Sequence, residues 1–182
     1  MTASSAVFGS VLVFVLSIPS VAAPQAPAPP SPPLDPISQA IKATWDGAKR
    51  NLKESAEQMA EPDYAFRPTD QVRTFGEILA HVAGANYVFC APARGEKTPF
   101  SEGHFEKTVK TKAEISKAID DSIAYCDAAY TALTDRSAAE IITGNAARAS
   151  TLIRNTIHVQ EHYGNLVTYF RIKGIVPPSS RR

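Results

Sequence analysis

Apolar residues from position 37 onward recur with a helical period. Ile37, Ile41, Trp45, Ala48, Leu52, Ala56 and Met59 follow one another at steps of three or four residues and draw one stripe along a helix. Asp35 stands where an N-cap is wanted, and Pro36 sits at the first helical position, where a missing N–H costs nothing. This helix is expected to run to about Ala60, with Pro62 and Pro68 closing it. A second helix opens at Thr74-Phe75-Gly76-Glu77, which has capping-box spacing. It carries Ile78, Leu79, Val82, Val88 and Phe89 and is expected to end near Pro92. Residues 93–110 are polar and without period. Thr111-Lys112-Ala113-Glu114 is another capping box, and the helix behind it puts Ile115, Ile119, Ser122, Cys126, Tyr130 and Leu133 on one face. Residues 135–143 read as a connection with a helical turn around residues 137–142. A last helix spans residues 145–173, where Gly174 supplies the stop and Pro177-Pro178 prevent a restart.

No segment shows strand alternation or hairpin turn chemistry, and there is no internal repeat. The fold class expected is therefore all-α: a four-helix bundle. The long polar segment between the second and third helices predicts a crossover rather than a simple up-and-down order.

The first 34 residues follow another logic. Residues 7–18 (VFGSVLVFVLSI) are apolar, yet shorter than the roughly 20 residues a bilayer span needs. Small residues follow at Ser20-Val21-Ala22-Ala23. This is the pattern of a secretory signal peptide over residues 1–22, with cleavage after Ala22; an uncleaved membrane anchor is the alternative. No Cys follows the run, which excludes a lipoprotein anchor. Residues 23–34 are Pro-rich and read as a stiff tether, residues 35–178 as the bundle, and residues 179–182 as a tail. The expected location is periplasmic or secreted, without stable membrane insertion after cleavage.

Composition narrows the function classes. With 182 residues and 44% hydrophobic content the chain can build one real core, and a net charge of +1 without a basic stripe argues against nucleic-acid binding. Two cysteines in an exported chain point to a Cys90–Cys126 disulfide, with two buried free thiols as the alternative. No Gly-rich phosphate loop, GxSxG or Cys-x-x-Cys is present.

The candidate chemistry lies in the histidines. His158 and His162 are four apart in the last helix and so share a face, the way a helix offers two imidazoles to one metal ion. His81 lies in the second helix, whose inner face can meet the last one. Three imidazoles without a fourth protein ligand describe an open, catalytic-type site, and Gly84 and Ala85 would leave room beside the ion. Core histidines without metal are the alternative. Cys90, nine residues after His81, falls on the opposite side of the helix and is a poor fourth ligand. His104 is assigned to the surface. His158-Val159-Gln160-Glu161-His162 also matches an inverted zinc-protease pattern, but no Glu or Asp follows His162 to complete that ligand set. Glu161 remains a weak candidate acid or base.

Three segments together carry a resemblance: Tyr64-Ala65-Phe66-Arg67-Pro68, Phe75-Gly76-Glu77-Ile78-Leu79-Ala80-His81-Val82-Ala83, and the run from His158-Val159-Gln160-Glu161-His162 through Tyr163-Gly164-Asn165-Leu166-Val167-Thr168-Tyr169-Phe170-Arg171. The chain resembles the DinB-like (damage-inducible) family over about residues 35–178. The resemblance implies a four-helix bundle, often a homodimer, with a divalent ion held by His81, His158 and His162. It also implies a small-molecule substrate, since some relatives are thiol S-transferases whose metal binds a thiol as its thiolate.

Two functions compete. One is a metal-dependent enzyme, a thiol S-transferase or a hydrolase, although export separates the chain from the cytoplasmic thiols such enzymes use. The other is a metal- or partner-binding bundle with a structural or sensing role. Zn²⁺ is the expected ion, with Ni²⁺ and Fe²⁺ as alternatives.

Overall fold

The computed structural model describes residues 35–181; the expected signal peptide and Pro-rich tether lie outside them. The elements in order are α1 (Pro36–Gln58), α2 (Phe75–Arg94), α3 (His104–Thr108), α4 (Lys112–Thr131), α5 (Asp135–Ala138), β1 (Ile141–Thr143), β2 (Ala146–Ala147) and α6 (Arg148–Ile172). The fold is all-α in its bulk, with α1, α2, α4 and α6 as the four long helices.

The helix starts follow local chemistry. Thr74 and Thr111 each accept the backbone N–H three residues on, and Glu77 and Glu114 return the bond to the cap, completing both boxes. The start of α1 is made differently. Asp35 makes no cap bond to its own helix; the Asp135 carboxylate, distant in sequence, accepts the N–H groups of Ile37 and Ser38, while Asp35 accepts the N–H of Asp135. Each aspartate thus caps the other's helix. These backbone N–H groups, Ser38 first, hold the Asp135 carboxyl below its usual range.

Several boundaries differ from the expectation. α2 runs through Pro92 to Arg94, because Pro92 removes only its own N–H; Gly95, at φ 73°, makes the stop. The turn expected around residues 137–142 is α5, capped by Thr134 and finished at Ala138. Residues 141–147 form a two-stranded ribbon around Gly144 at φ 57°, where no hairpin was expected. Gly144-Asn145 is the turn dipeptide, and the flanking strands are too short to show alternation. The last helix begins at Arg148, not at residue 145, and Gly174 at φ 72° lets Ile175 N–H return to the Phe170 carbonyl.

Contacts between helices give their directions. Trp45 meets Asp127 and Lys53 meets Asp120, so α1 and α4 are antiparallel. Phe75 packs on Phe170 near one end and Arg148 reaches the Ala93 carbonyl near the other, so α2 and α6 are antiparallel. Ile115 lies against Gly76 and Cys126 is bonded to Cys90, so α2 and α4 run in the same direction as neighbours. Two parallel neighbours need a connection that returns the full length of the bundle, about 30 Å for a 20-residue helix. Residues 95–111 make this crossover, and α3 lies within it against α2.

The core is one apolar cluster. Trp45 stacks on Tyr130 with ring centroids 4.7 Å apart, and Leu52, Met59, Phe75, Leu79, Ile119, Leu152, Leu166 and Phe170 fill the layers above it. The tail is tied down, with Pro178 buried and Tyr163 bonded to Ser179. Among the described residues no helix is long and apolar enough to cross a membrane.

Candidate metal centre

The α2–α6 seam is where the interior takes in an ionisable imidazole. Among the described residues, His81 is the only His, Asp, Glu, Lys or Arg that is buried. Burying such a group costs free energy unless it is paired, so its surroundings call for an account. His81 lies near the middle of α2, and the antiparallel course of α6 brings His158 and His162 opposite it. One donor atom from each of the three lies within 4.8 Å of the others. His81 Nε2 and His158 Nε2 are 3.2 Å apart, and the ring centroids of His81 and His162 are separated by 4.8 Å.

The electrostatics favour neutral rings on α6. Burial pushes the His158 imidazole below its ordinary value, with help from His81. Burial also takes His162 down to about 4, and His158 and His81 add to it. A neutral imidazole keeps the lone pair a metal needs. His158 Nδ1 is buried without a hydrogen-bond partner. Two nitrogens bound to one tetrahedral ion at about 2.1 Å stand about 3.4 Å apart, close to the His81–His158 separation. The residues present therefore fit a divalent cation, and fit a fully protonated cluster poorly.

The crossover adds groups that the sequence reading missed. Glu106, in α3, places Oε1 2.9 Å from His81 Nδ1, and Glu102 places Oε1 3.3 Å from His81 Nε2. Arg73, ahead of α2, donates Nε–H to Glu106 Oε2 at 2.8 Å. Burial alone would raise the Glu106 carboxyl; the hydrogen bonds from Arg73 and His81 outweigh it and hold it below the usual carboxylate range. Tyr169 donates its O–H to the Arg73 carbonyl, fixing that segment to α6. Nothing in a polar, aperiodic stretch marks which carboxylate will face inward. The one sequence signal available was that a crossover must pass along α2.

A cavity of about 660 Å³ opens beside His162, lined by Pro68, Gln71, Arg73, Asn165 and Tyr169 among others. Asn165 reaches His162 Nδ1 at 3.4 Å. The remaining candidates fall elsewhere. Glu161 is exposed on α6. His104 is half-buried rather than on the surface, its ring stacked on Phe100 at 4.6 Å, because the crossover folds back on its own aromatic residues. Gly84 and Ala85 are buried, and Gly84 leaves no room for an ion: the Glu102 backbone occupies that space. Cys90 is bonded to Cys126, with Cα atoms 5.3 Å apart, which removes its thiol from the metal question.

A model of the DinB superfamily matches residues 44–166. The chain belongs to the DinB superfamily. Among solved structures, the DinB-superfamily fold recurs in the crystal structure of a conserved protein from Enterococcus faecalis, at TM-score 0.61 and 15% identity. The match covers 75% of this chain and 96% of that one. No curated protein matches the chain. The matched span contains all three histidines, both bridged cysteines and the whole crossover of this DinB-superfamily protein.

Proposed function

We propose that this protein is an exported metal-dependent enzyme, a thiol S-transferase or hydrolase, whose divalent ion is held by His81, His158 and His162. The observation that carries this reading is the convergence of three imidazole donors within 4.8 Å around His81, the only buried His, Asp, Glu, Lys or Arg among the described residues. Zn²⁺ is the ion we assign, with Ni²⁺ and Fe²⁺ as competitors for the same nitrogen donors. When bound, such an ion acts as a Lewis acid that lowers the pKa of a coordinated water or thiol toward neutrality.

The chain's own residues supply the rest. His158 and His162 present lone pairs because burial disfavours their charged forms. Glu106 accepts the Nδ1 proton of His81, which directs Nε2 toward the cluster. The cavity beside His162 seats a small substrate, with Arg73 and Asn165 as polar contacts at its wall. Export, with residues 1–22 as a signal peptide, draws support from the Cys90–Cys126 disulfide, a bond that persists in oxidising compartments.

Elemental mass spectrometry of purified protein, wild type against His158→Ala, tests the site. Stoichiometric divalent metal that disappears in the variant is the expected result. A wild-type chain that takes up neither Zn²⁺ nor Ni²⁺ would reduce the three histidines to core residues and end the enzyme reading. If metal binds but a panel of thiols and esters shows no turnover, the non-catalytic binding role replaces catalysis.

A further inference from the structure

Because α2 and α4 run in the same direction, the crossover must travel back along α2, and it does so at van der Waals limits. A Cβ built on Gly84 would lie 2.0 Å from the Glu102 carbonyl oxygen and 2.8 Å from its carbonyl carbon. The helical glycines Gly47 and Gly164 have nothing within 4 Å of such an atom, so the close approach belongs to this crossing and not to glycine in a helix generally. Gly84 is three residues after His81 and shares its face of α2. The absence of one side chain thus sets how near the Glu102 backbone comes to the imidazole.

The two carboxylates that the crossover brings to His81 are not equivalent. Glu106 is held by Arg73 and lies on Nδ1, not on the nitrogen that faces His158. That is how a carboxylate orients a metal-binding imidazole. Glu102 lies on Nε2, the nitrogen that also faces His158, and no Lys or Arg pairs with it among the described residues. Its Oε1 stands 3.3 Å from His81 Nε2, while His158 Nε2 stands 3.2 Å from that same atom. Both separations are close to the roughly 3.4 Å between two donors sharing a tetrahedral ion.

We propose that Glu102 is a fourth protein donor to the three-histidine centre, carried there by the crossover and admitted by Gly84, with Glu106 as the positioning residue for His81. The proposal rests on the three histidines being a metal site. It changes the expected donor set from three neutral imidazoles to three imidazoles and one carboxylate. One donor then comes from a connection instead of from the bundle helices.

The test uses purified protein, with Zn²⁺ affinity read by chelator competition and Co²⁺ absorption reading the coordination. Glu102→Gln is expected to weaken Zn²⁺ binding by about tenfold or more and to change the Co²⁺ spectrum. The metal-free protein should melt as before, since the Glu102 side chain is 51% exposed. Gly84→Ala removes no donor, yet it should produce the same loss by displacing the Glu102 backbone. Adding it to Glu102→Gln should cost no further affinity. Wild-type affinity and an unchanged Co²⁺ spectrum in Glu102→Gln would overturn the assignment and leave the three-histidine site standing. A further loss from Gly84→Ala in the Glu102→Gln background would overturn the role given to Gly84. A wild type that binds neither ion would overturn the three-histidine reading itself.

Discussion

The helix α2 has two neighbours and treats them in opposite ways. Toward α4 it is closed: Cys90 is bonded to Cys126, Asn86 donates to Ser122, and Gly76 lets Ile115 pack against the backbone. The buried residues of this seam include no imidazole and no carboxylate. Toward α6 and the crossover, α2 presents His81 to two more imidazoles, two carboxylates and, across His162, an open cavity. One seam is closed by a covalent bond and a side-chain hydrogen bond. The other keeps a buried nitrogen, His158 Nδ1, without a partner. On the proposed reading, stability and chemistry fall on different faces of a single helix, and the closed face holds His81 in register.

If that division holds, damage to each seam should show in a different measurement. The largest effect is expected from Cys90→Ala/Cys126→Ala. The bridged residues are 36 apart in sequence, and opening such a loop should cost about 3–4 kcal/mol in urea unfolding. Metal content should stay at the wild-type level. Loss of metal along with the disulfide would show that the two faces are not separable.

His158→Ala should do the reverse. It should abolish metal retention, while circular dichroism at neutral pH stays close to that of the wild-type metal-free protein. Collapse of helicity in this variant would make His158 a core residue first and a ligand second.

Acid should find the reactive seam before the closed one. His162 takes a proton near 6.5 in the unfolded chain but only near about 4 in the folded one. The unfolded state therefore gains protons first. Stability of the metal-free protein should be full above about pH 6.5 and decline as the pH falls toward 4. His158 shifts in the same direction and adds to the decline. Melting temperatures recorded across this window should give a shallower slope for His162→Asn than for wild type, and equal slopes would remove His162 as the cause.

The smallest effects belong to the caps, which both seams share. Thr74→Ala and Thr111→Ala should each destabilise by about 1 kcal/mol, because each leaves a first-turn N–H without its acceptor. Only Thr74→Ala, on the helix that carries His81, should also lower metal affinity. Equal effects on metal from both would mean that the site senses general stability and not the position of α2.

How much of this was legible beforehand depended on distance along the chain. Thr74 with Glu77 and Thr111 with Glu114 were readable as caps because every atom involved lies within one turn. His158 and His162 were readable as a pair for the same reason, since four residues in a helix fix two side chains on one face. Asp35 misled: it has the right residue type in the right place, but a tertiary partner, Asp135, took over the capping of α1. Gly84 misled in a similar way, read as space for an ion when a crossing backbone fills that space.

The sequence by itself determined the four long helices, the stop of the last one at Gly174, and the shared face of two histidines. Each of these follows from periodicity and from hydrogen bonds closed within a few residues. The long polar segment predicted a crossover, but only the tertiary structure decided which of its residues lie against α2. That in turn decided that Glu102 and Glu106 arrive at the two nitrogens of His81. The physical reason is that the crossover has no period to read. Its course is imposed by the helices it connects, and the side chains it turns inward are chosen by the space those helices leave.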